Sequence, residues 1–172
     1  MKLIILNGSS CSGKSTIIKN IMAEKSHCFH INRDSIKWSF SKYQYDKDHE
    51  NVQKILLAIA DTVFKIGYNT ILDFAIYKKY RQEFIDLAKE YNYELLEINL
   101  EADYEILLKR FNERIKSVSL VQKKDRIISN TSVDRFKEIF DIFNKEKNPL
   151  ALTIRTDTQN VENVSKSIMK FL

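Results

Sequence analysis

The 172-residue sequence predicts an α/β fold, a parallel, doubly wound sheet of about five strands with helices on both faces. Three observations lead there. Short apolar runs alternate with amphipathic stretches about five times along the chain. The runs are nearly continuous in apolar residues, as strands buried on both faces are. Two of the three glycines fall in the single stretch 8–16, between the first run and the first amphipathic stretch.

Taken in order, Lys2 to Leu6 is the first strand. Gly8-Ser9-Ser10-Cys11-Ser12-Gly13-Lys14-Ser15-Thr16 then fits G-x-x-x-x-G-K-[ST], the P-loop. Its glycines let the backbone turn tightly and aim N–H groups at a phosphate, Lys14 reaches the β/γ-phosphates, and the Ser15 hydroxyl can ligate Mg²⁺. Ile17, Ile18, Ile21 and Met22 recur at helical spacing, so the loop opens a helix whose positive dipole end adds to the site. Strand, loop and helix in this order make the expected fold the three-layer αβα sandwich of P-loop NTPases.

Cys28 to Ile31 is a second strand, and 48–66 reads as a long helix through Val52, Ile55, Leu56, Ile59, Val63 and Phe64, stopped by Gly67. Thr70 to Asp73 is a third strand. A helix over 78–91 carries Phe84, Leu87, Ala88 and Tyr91, and 93–100 is a fourth strand. Leu107, Leu108, Phe111 and Ile115 mark a helix from Asp103 to about Lys116. The charged stretch 117–131 lacks periodicity and is expected to form a mobile lid, spanning about 114–131. A helix over 132–146, a strand over 150–154 and a helix over 160–171 complete a single domain, 1–172.

Composition narrows the setting. No apolar run approaches the roughly 20 residues of a membrane span, and the N-terminus lacks a signal-peptide pattern. A cytoplasmic protein without a membrane partner is expected, with Cys11 and Cys28 reduced. His27, His30 and His49 have no metal-ligand spacing. Net charge is +5, and residues 109–137 hold nine Lys/Arg against three acids. That segment suits an anionic partner, either nucleotide phosphates or a nucleic acid backbone, or is a solvated helix surface.

In a doubly wound sheet, ligands bind at the carboxyl ends of the strands. Asn32-Arg33-Asp34 follows the second strand and Asp73 ends the third. Asp34 is either a base for an acceptor hydroxyl or a helix cap. Asp73 is either a Mg²⁺-side acid, as in a Walker B arrangement, or a turn residue. Arg110 and Arg114 share a helix face before the lid and either clamp the transferring phosphoryl group or pair on the surface; Arg126 can join them. Trp38, Phe40, Tyr43 and Tyr45 interleave with lysines and either stack a ring or cover the core.

These residues carry a family resemblance. The chain resembles the small P-loop kinases of the zeta-toxin and chloramphenicol phosphotransferase type and the kinase domain of phage polynucleotide kinase. Ile4-Ile5-Leu6-Asn7-Gly8-Ser9-Ser10 is similar to the antibiotic phosphotransferase, and Ile31-Asn32-Arg33-Asp34 to the polynucleotide kinase. The resemblance implies Asp34 as catalytic base, Asp73 as the Walker-B-like acid and, from Lys109-Arg110-Phe111-Asn112-Glu113-Arg114, Arg114 as lid arginine. It implies that Thr156-Asp157-Thr158 packs near adenine, giving Asp157 to the cofactor. Acceptor binding is implied for Arg33, Asp34, Lys37 and Asp73. Polynucleotide kinase has an arginine where Lys37 stands; lysine keeps the charge but loses the bidentate fork.

The sequence lacks an N-K-x-D guanine-reading motif, an LSGGQ-type signature and the D-G-[FY]-P-R run of nucleoside monophosphate kinases. The reading is an ATP- and Mg²⁺-dependent kinase acting on a hydroxyl of a small molecule. The alternatives are a polynucleotide 5′-hydroxyl kinase acting on RNA or DNA ends and an ATP-binding regulatory or toxin-like switch.

Overall fold

The computed structural model describes residues 1–73, 78–117 and 132–172. The chain runs β1 (Lys2–Gly8), α1 (Lys14–Glu24), β2 (Cys28–Ile31), α2 (Arg33–Trp38), α3 (Tyr45–Ile66), β3 (Asn69–Leu72), α4 (Lys78–Glu90), β4 (Glu94–Glu101), α5 (Tyr104–Ser117), α6 (Val133–Glu146), β5 (Leu152–Arg155) and α7 (Val161–Met169). The five strands are all parallel, in the order β2-β3-β1-β4-β5. This is the expected P-loop NTPase sandwich.

Alternation along β1 builds both sides of the core. Leu3 and Ile5 pack with Val52, Leu56, Phe64 and Phe84 beneath α3 and α4. Ile4 and Leu6 pack with Ile17, Ile21, Val164 and Ile168 beneath α1 and α7. All four β1 side chains are fully buried, so a polar replacement at any of them would strand an unpaired group in an apolar layer. A third cluster joins α5 to α6 through Leu107, Phe111 and Phe136, with the Phe111 and Phe136 rings stacked at 4.6 Å.

The long helix begins earlier than its periodicity predicts. Asp48 Oδ2 accepts from the Gln44 amide at 2.7 Å, which adds the turn from Tyr45 ahead of the first apolar position. Gly67 closes it at φ 83°, and its N–H reaches the carbonyl of Val63 at 3.1 Å. The short α2 has no buried residue, so hydrophobic spacing carries no trace of it.

Because β1 lies at the centre, with β3 on one side and β4 on the other, the chain reverses its direction of winding there. The carboxyl end of β1 is therefore a switch point, and the P-loop starts from it. No helix among the described residues is long and apolar enough to cross a membrane.

Candidate active site

The loop between β1 and α1 is fixed by its own backbone. Cys11 (φ 64°) and Gly13 (φ 94°) both stand in the left-handed region, where a side chain is costly and glycine is not. Gly8 is needed for space: a Cβ there would run into Ser12 Oγ and lie 3.0 Å from the carbonyl of Leu100 on β4. No side chain caps α1, so its first amides remain for an anion. Lys14 Nζ donates to the carbonyls of Gly8 at 2.5 Å and Ser9 at 3.1 Å, which leaves its third N–H. Burial lowers the Lys14 pKa, and the charges of Asp73 and Asp34 act against that.

Both acids therefore share one electrostatic neighbourhood with the P-loop lysine. Asp73, just past β3, is buried. Asn32 Nδ2 donates to its two carboxylate oxygens at 3.2 and 3.0 Å, and His30 Nε2 lies 3.3 Å from Oδ2. The other end of the same amide caps α2: Asn32 Oδ1 accepts from the Ser35 amide at 2.8 Å and from Ser35 Oγ at 3.1 Å. The cap is thus Asn32, and Asp34, exposed in the first turn, is not engaged as one. Among the described residues no hydrogen bond holds the Asp34 carboxylate. The Asn32→Ala variant is expected to lose about 1–3 kcal/mol, for the cap and the bond to a charged group together, read from a urea melt.

A cleft of about 760 Å³ opens over the loop. Gly8, Ser10, Cys11, Ser12, Gly13, Lys14, Ser15 and Thr16 line it, with Arg33, Asp34, Lys37, Asp73, Arg110 and Arg114. Ser9 does not; it is buried and borders a separate cavity of about 180 Å³, serving Lys14 through its carbonyl.

Arg110 reaches across to the C-terminal part of the sheet. Its Nη2 donates to the Thr156 carbonyl at 2.6 Å, and its Nη1 to Thr156 Oγ1 at 3.2 Å and the Cys11 carbonyl at 3.5 Å. Arg114 stands beside Cys11. Burial raises the Cys11 pKa, and the charge and hydrogen bond of Arg114 are the largest effects against it. The two arginines thus converge on the loop, while Arg126 and positions 118–131 of the expected lid lie outside the described residues.

Asp157 departs from expectation. Its carboxylate pairs with Arg155 and accepts the Asp103 amide at 3.0 Å, and it does not line the cleft. Arg155 also binds Asp103 Oδ1 at 2.6 Å, so Asp157 ties the end of β5 to the start of α5. Its neighbours Thr156 and Gln159 take the cleft positions.

Three other lining residues escape sequence reasoning. Asn32, directly before a helix, carries a capping signal that the acid two places on shares and so obscures. Arg135, on α6, lines the cleft with no local motif to announce it. Gln159 likewise arrives through the tertiary fold, whereas Tyr43, one of the interleaved aromatics, both lines the cleft and packs against the core.

Arg33 Nη2 donates to Nδ1 of the buried His49 at 2.5 Å, which requires a neutral imidazole. Burial lowers the His49 pKa, and the Arg33 charge lowers it further. The unfolded chain therefore binds this proton more readily, and the stability contributed is complete above a pH of about 6.5 and declines below it. Wild-type protein is expected to lose more thermal stability between pH 7.5 and 5.5 than His49→Gln, measured in matched buffers.

Residues 3–143 match the AAA domain family (AAA_33). None of the curated proteins matches the sequence. Among solved structures, the chain is similar to APE1195 at 18% identity, over 99% of this chain and 93% of that one, with a TM-score of 0.71. It is similar to a sugar kinase from Janibacter sp. HTCC2649 at 15% identity, over 99% and 93%, with a TM-score of 0.63. It also matches the Pnkp1/Rnl/Hen1 RNA repair complex at 23% identity, over 88% of this chain but 49% of that one, with a TM-score of 0.58. At such identities the likeness is one of fold. With the matched span covering most of the chain and every P-loop position in its structural setting, this protein belongs to the AAA domain family, built on the P-loop NTPase fold.

Proposed function

We propose that this protein is a kinase that moves the γ-phosphate of ATP, with Mg²⁺, onto a hydroxyl of a small molecule. One observation carries the reading: the Asp34 carboxylate, released from capping by Asn32, lines the cleft that Lys14 and the loop amides floor. A phosphate-binding loop faced by an unengaged carboxylate is the pairing that transfer to a hydroxyl needs. The volume of the cleft, about 760 Å³, falls in the range of small-molecule sites.

Each side chain has work in that reaction. The loop amides, the start of α1 and the third N–H of Lys14 bind the phosphate oxygens. The Ser15 hydroxyl and the Asp73 carboxylate are the hard oxygen donors that suit Mg²⁺. No cluster of three or more His, Cys, Asp or Glu side chains gathers as a metal site among the described residues. That fits an ion which takes most of its ligands from phosphates and water. When bound, such an ion would offset negative charge on the phosphates. Asn32 holds Asp73 in orientation for it. Asp34 orients the acceptor hydroxyl and takes its proton. Arg114 offsets charge growing on the transferred group, while Arg110, held by backbone carbonyls, is a fixed wall.

A 5′-hydroxyl of RNA or DNA is the second reading, favoured by Asn32-Arg33-Asp34 at the cleft. The test is incubation with γ-labelled ATP and Mg²⁺ against two pools, mixed small-molecule alcohols and 5′-hydroxyl oligonucleotides. Label on a small molecule supports the first reading, and label on the oligonucleotide replaces it with the second. Tight ATP binding with label on neither would make the protein a nucleotide-dependent switch.

A further inference from the structure

The helix that carries Asp34 gets little hold from its own packing. None of the six residues of α2 is buried, and Ile36 meets the core only in part. Two polar tethers hold its start. Asn32, the cap, joins Ser35 to Asp73. One residue on, Arg33 Nη2 donates to Nδ1 of His49, a turn into α3.

His49 is a fixed point for the second tether. It is buried, and its ring centre lies 4.5 Å from that of Tyr45 and 4.8 Å from that of Tyr80. Tyr80 belongs to α4, so the imidazole is set between two long helices. An arginine only donates, so Nδ1 must present a lone pair to it. The charges that act on the ring are Arg33 and Lys37 of α2, Glu50 of α3 and Lys79 of α4. Asp48, its neighbour in the chain, is engaged at the Gln44 amide. A proton on Nδ1 removes the acceptor and adds a positive charge where three of those four are already positive. The two tyrosine rings confine the imidazole, so the guanidinium is the partner that moves away.

We propose that His49 is a positioning residue for Asp34: neutral, it anchors α2 through Arg33 with the carboxylate at the cleft, and protonated, it lets α2 go. Burial and the Arg33 charge both lower the His49 pKa, so the anchor is complete at neutral pH and is lost at a pH below about 6.5. What the anchor serves rests on the kinase reading; the anchor itself does not.

Trp38, the one tryptophan of the chain, ends α2 and reports on it without any ligand. It is 48% exposed, so full release of the helix can raise its quenching by acrylamide about twofold at most. Titrated from about pH 7.5 to 5.0 in matched buffers, the wild-type protein should show quenching that climbs toward that ceiling. His49→Gln, whose amide oxygen can accept from Arg33 and does not titrate, should keep the neutral wild-type value throughout. His49→Phe keeps a ring between Tyr45 and Tyr80 but offers no acceptor, and should start released at the neutral end. Far-ultraviolet circular dichroism should stay nearly constant, which separates release of one short helix from general unfolding. The chain has two other histidines, His27 and His30, so an equal rise in His49→Gln would trace the effect to them and overturn the proposal. A flat wild-type signal would overturn it too, as would a folded His49→Phe protein that matches wild type at neutral pH. Should His49→Phe fail to fold, the comparison of wild type with His49→Gln decides alone. No nucleotide enters the measurement, so its failure leaves the kinase reading standing, and a failed transfer assay leaves the anchor standing.

Discussion

Lys14→Ala will reduce phosphoryl transfer by about 10³-fold or more, to the floor of a γ-label assay. Removing one preorganised donor to developing charge typically costs 10²–10³-fold. Lys14 adds a full positive charge, set in a loop whose burial strengthens its field. At about 1.4 kcal/mol per tenfold, the expected loss is about 4 kcal/mol of barrier. The variant also frees the Gly8 and Ser9 carbonyls that the ammonium now holds. A thermal melt beside the assay separates a loosened loop from a missing charge. An unchanged melting temperature with lost turnover is the expected pair. A variant that still turns over at the wild-type rate would remove the kinase reading altogether.

Asp34→Asn should lower kcat by about 10²–10⁴-fold, the range for losing a positioned proton acceptor. The ATP KM should stay within about threefold, because the carboxylate touches neither the loop nor the phosphates' donors. The amide keeps the shape of the side chain, and Asn32 continues to cap α2. Folding should therefore be unaffected. Steady-state kinetics at saturating acceptor decides the matter. An unchanged kcat would reduce Asp34 to a favourable charge at the start of a helix.

That these two residues stand at one cleft was legible in the sequence for different reasons. Lys14 belongs to a motif whose function is local: a strand, nine residues and a helix contain every part of it, so no long-range contact is needed to read it. Asp34 required the order of strands to be guessed, since its role exists only if the end of β2 lies along the same edge as the end of β1. Parallel winding made that guess safe. The sequence misled where two polar residues compete for one task. Asn32 and Asp34 both suit a cap, and only the fold shows that the asparagine has two ends to use, one on Ser35 and one on Asp73. Asp157 misled for the opposite reason: Arg155, two residues before it, claims its carboxylate. Arg135 was legible only as one charge of the basic segment 109–137, because an arginine on an amphipathic helix looks the same whether it faces a cleft or the solvent.

The bond from Arg110 to Thr156 has a consequence for the order in which the protein matures. Residues 3–143 define the family, but the cleft is closed by Thr156, Gln159, Val161 and Val164, and Arg110 fastens the loop to the first of these. The loop leaves the ribosome well ahead of the wall that faces it. A nascent chain carries the phosphate-binding motif through the synthesis of β2 to α6 without a finished nucleotide pocket around it. Competence for nucleotide is thereby deferred until β5 has entered the sheet, and chains stalled before that point are expected to be inert.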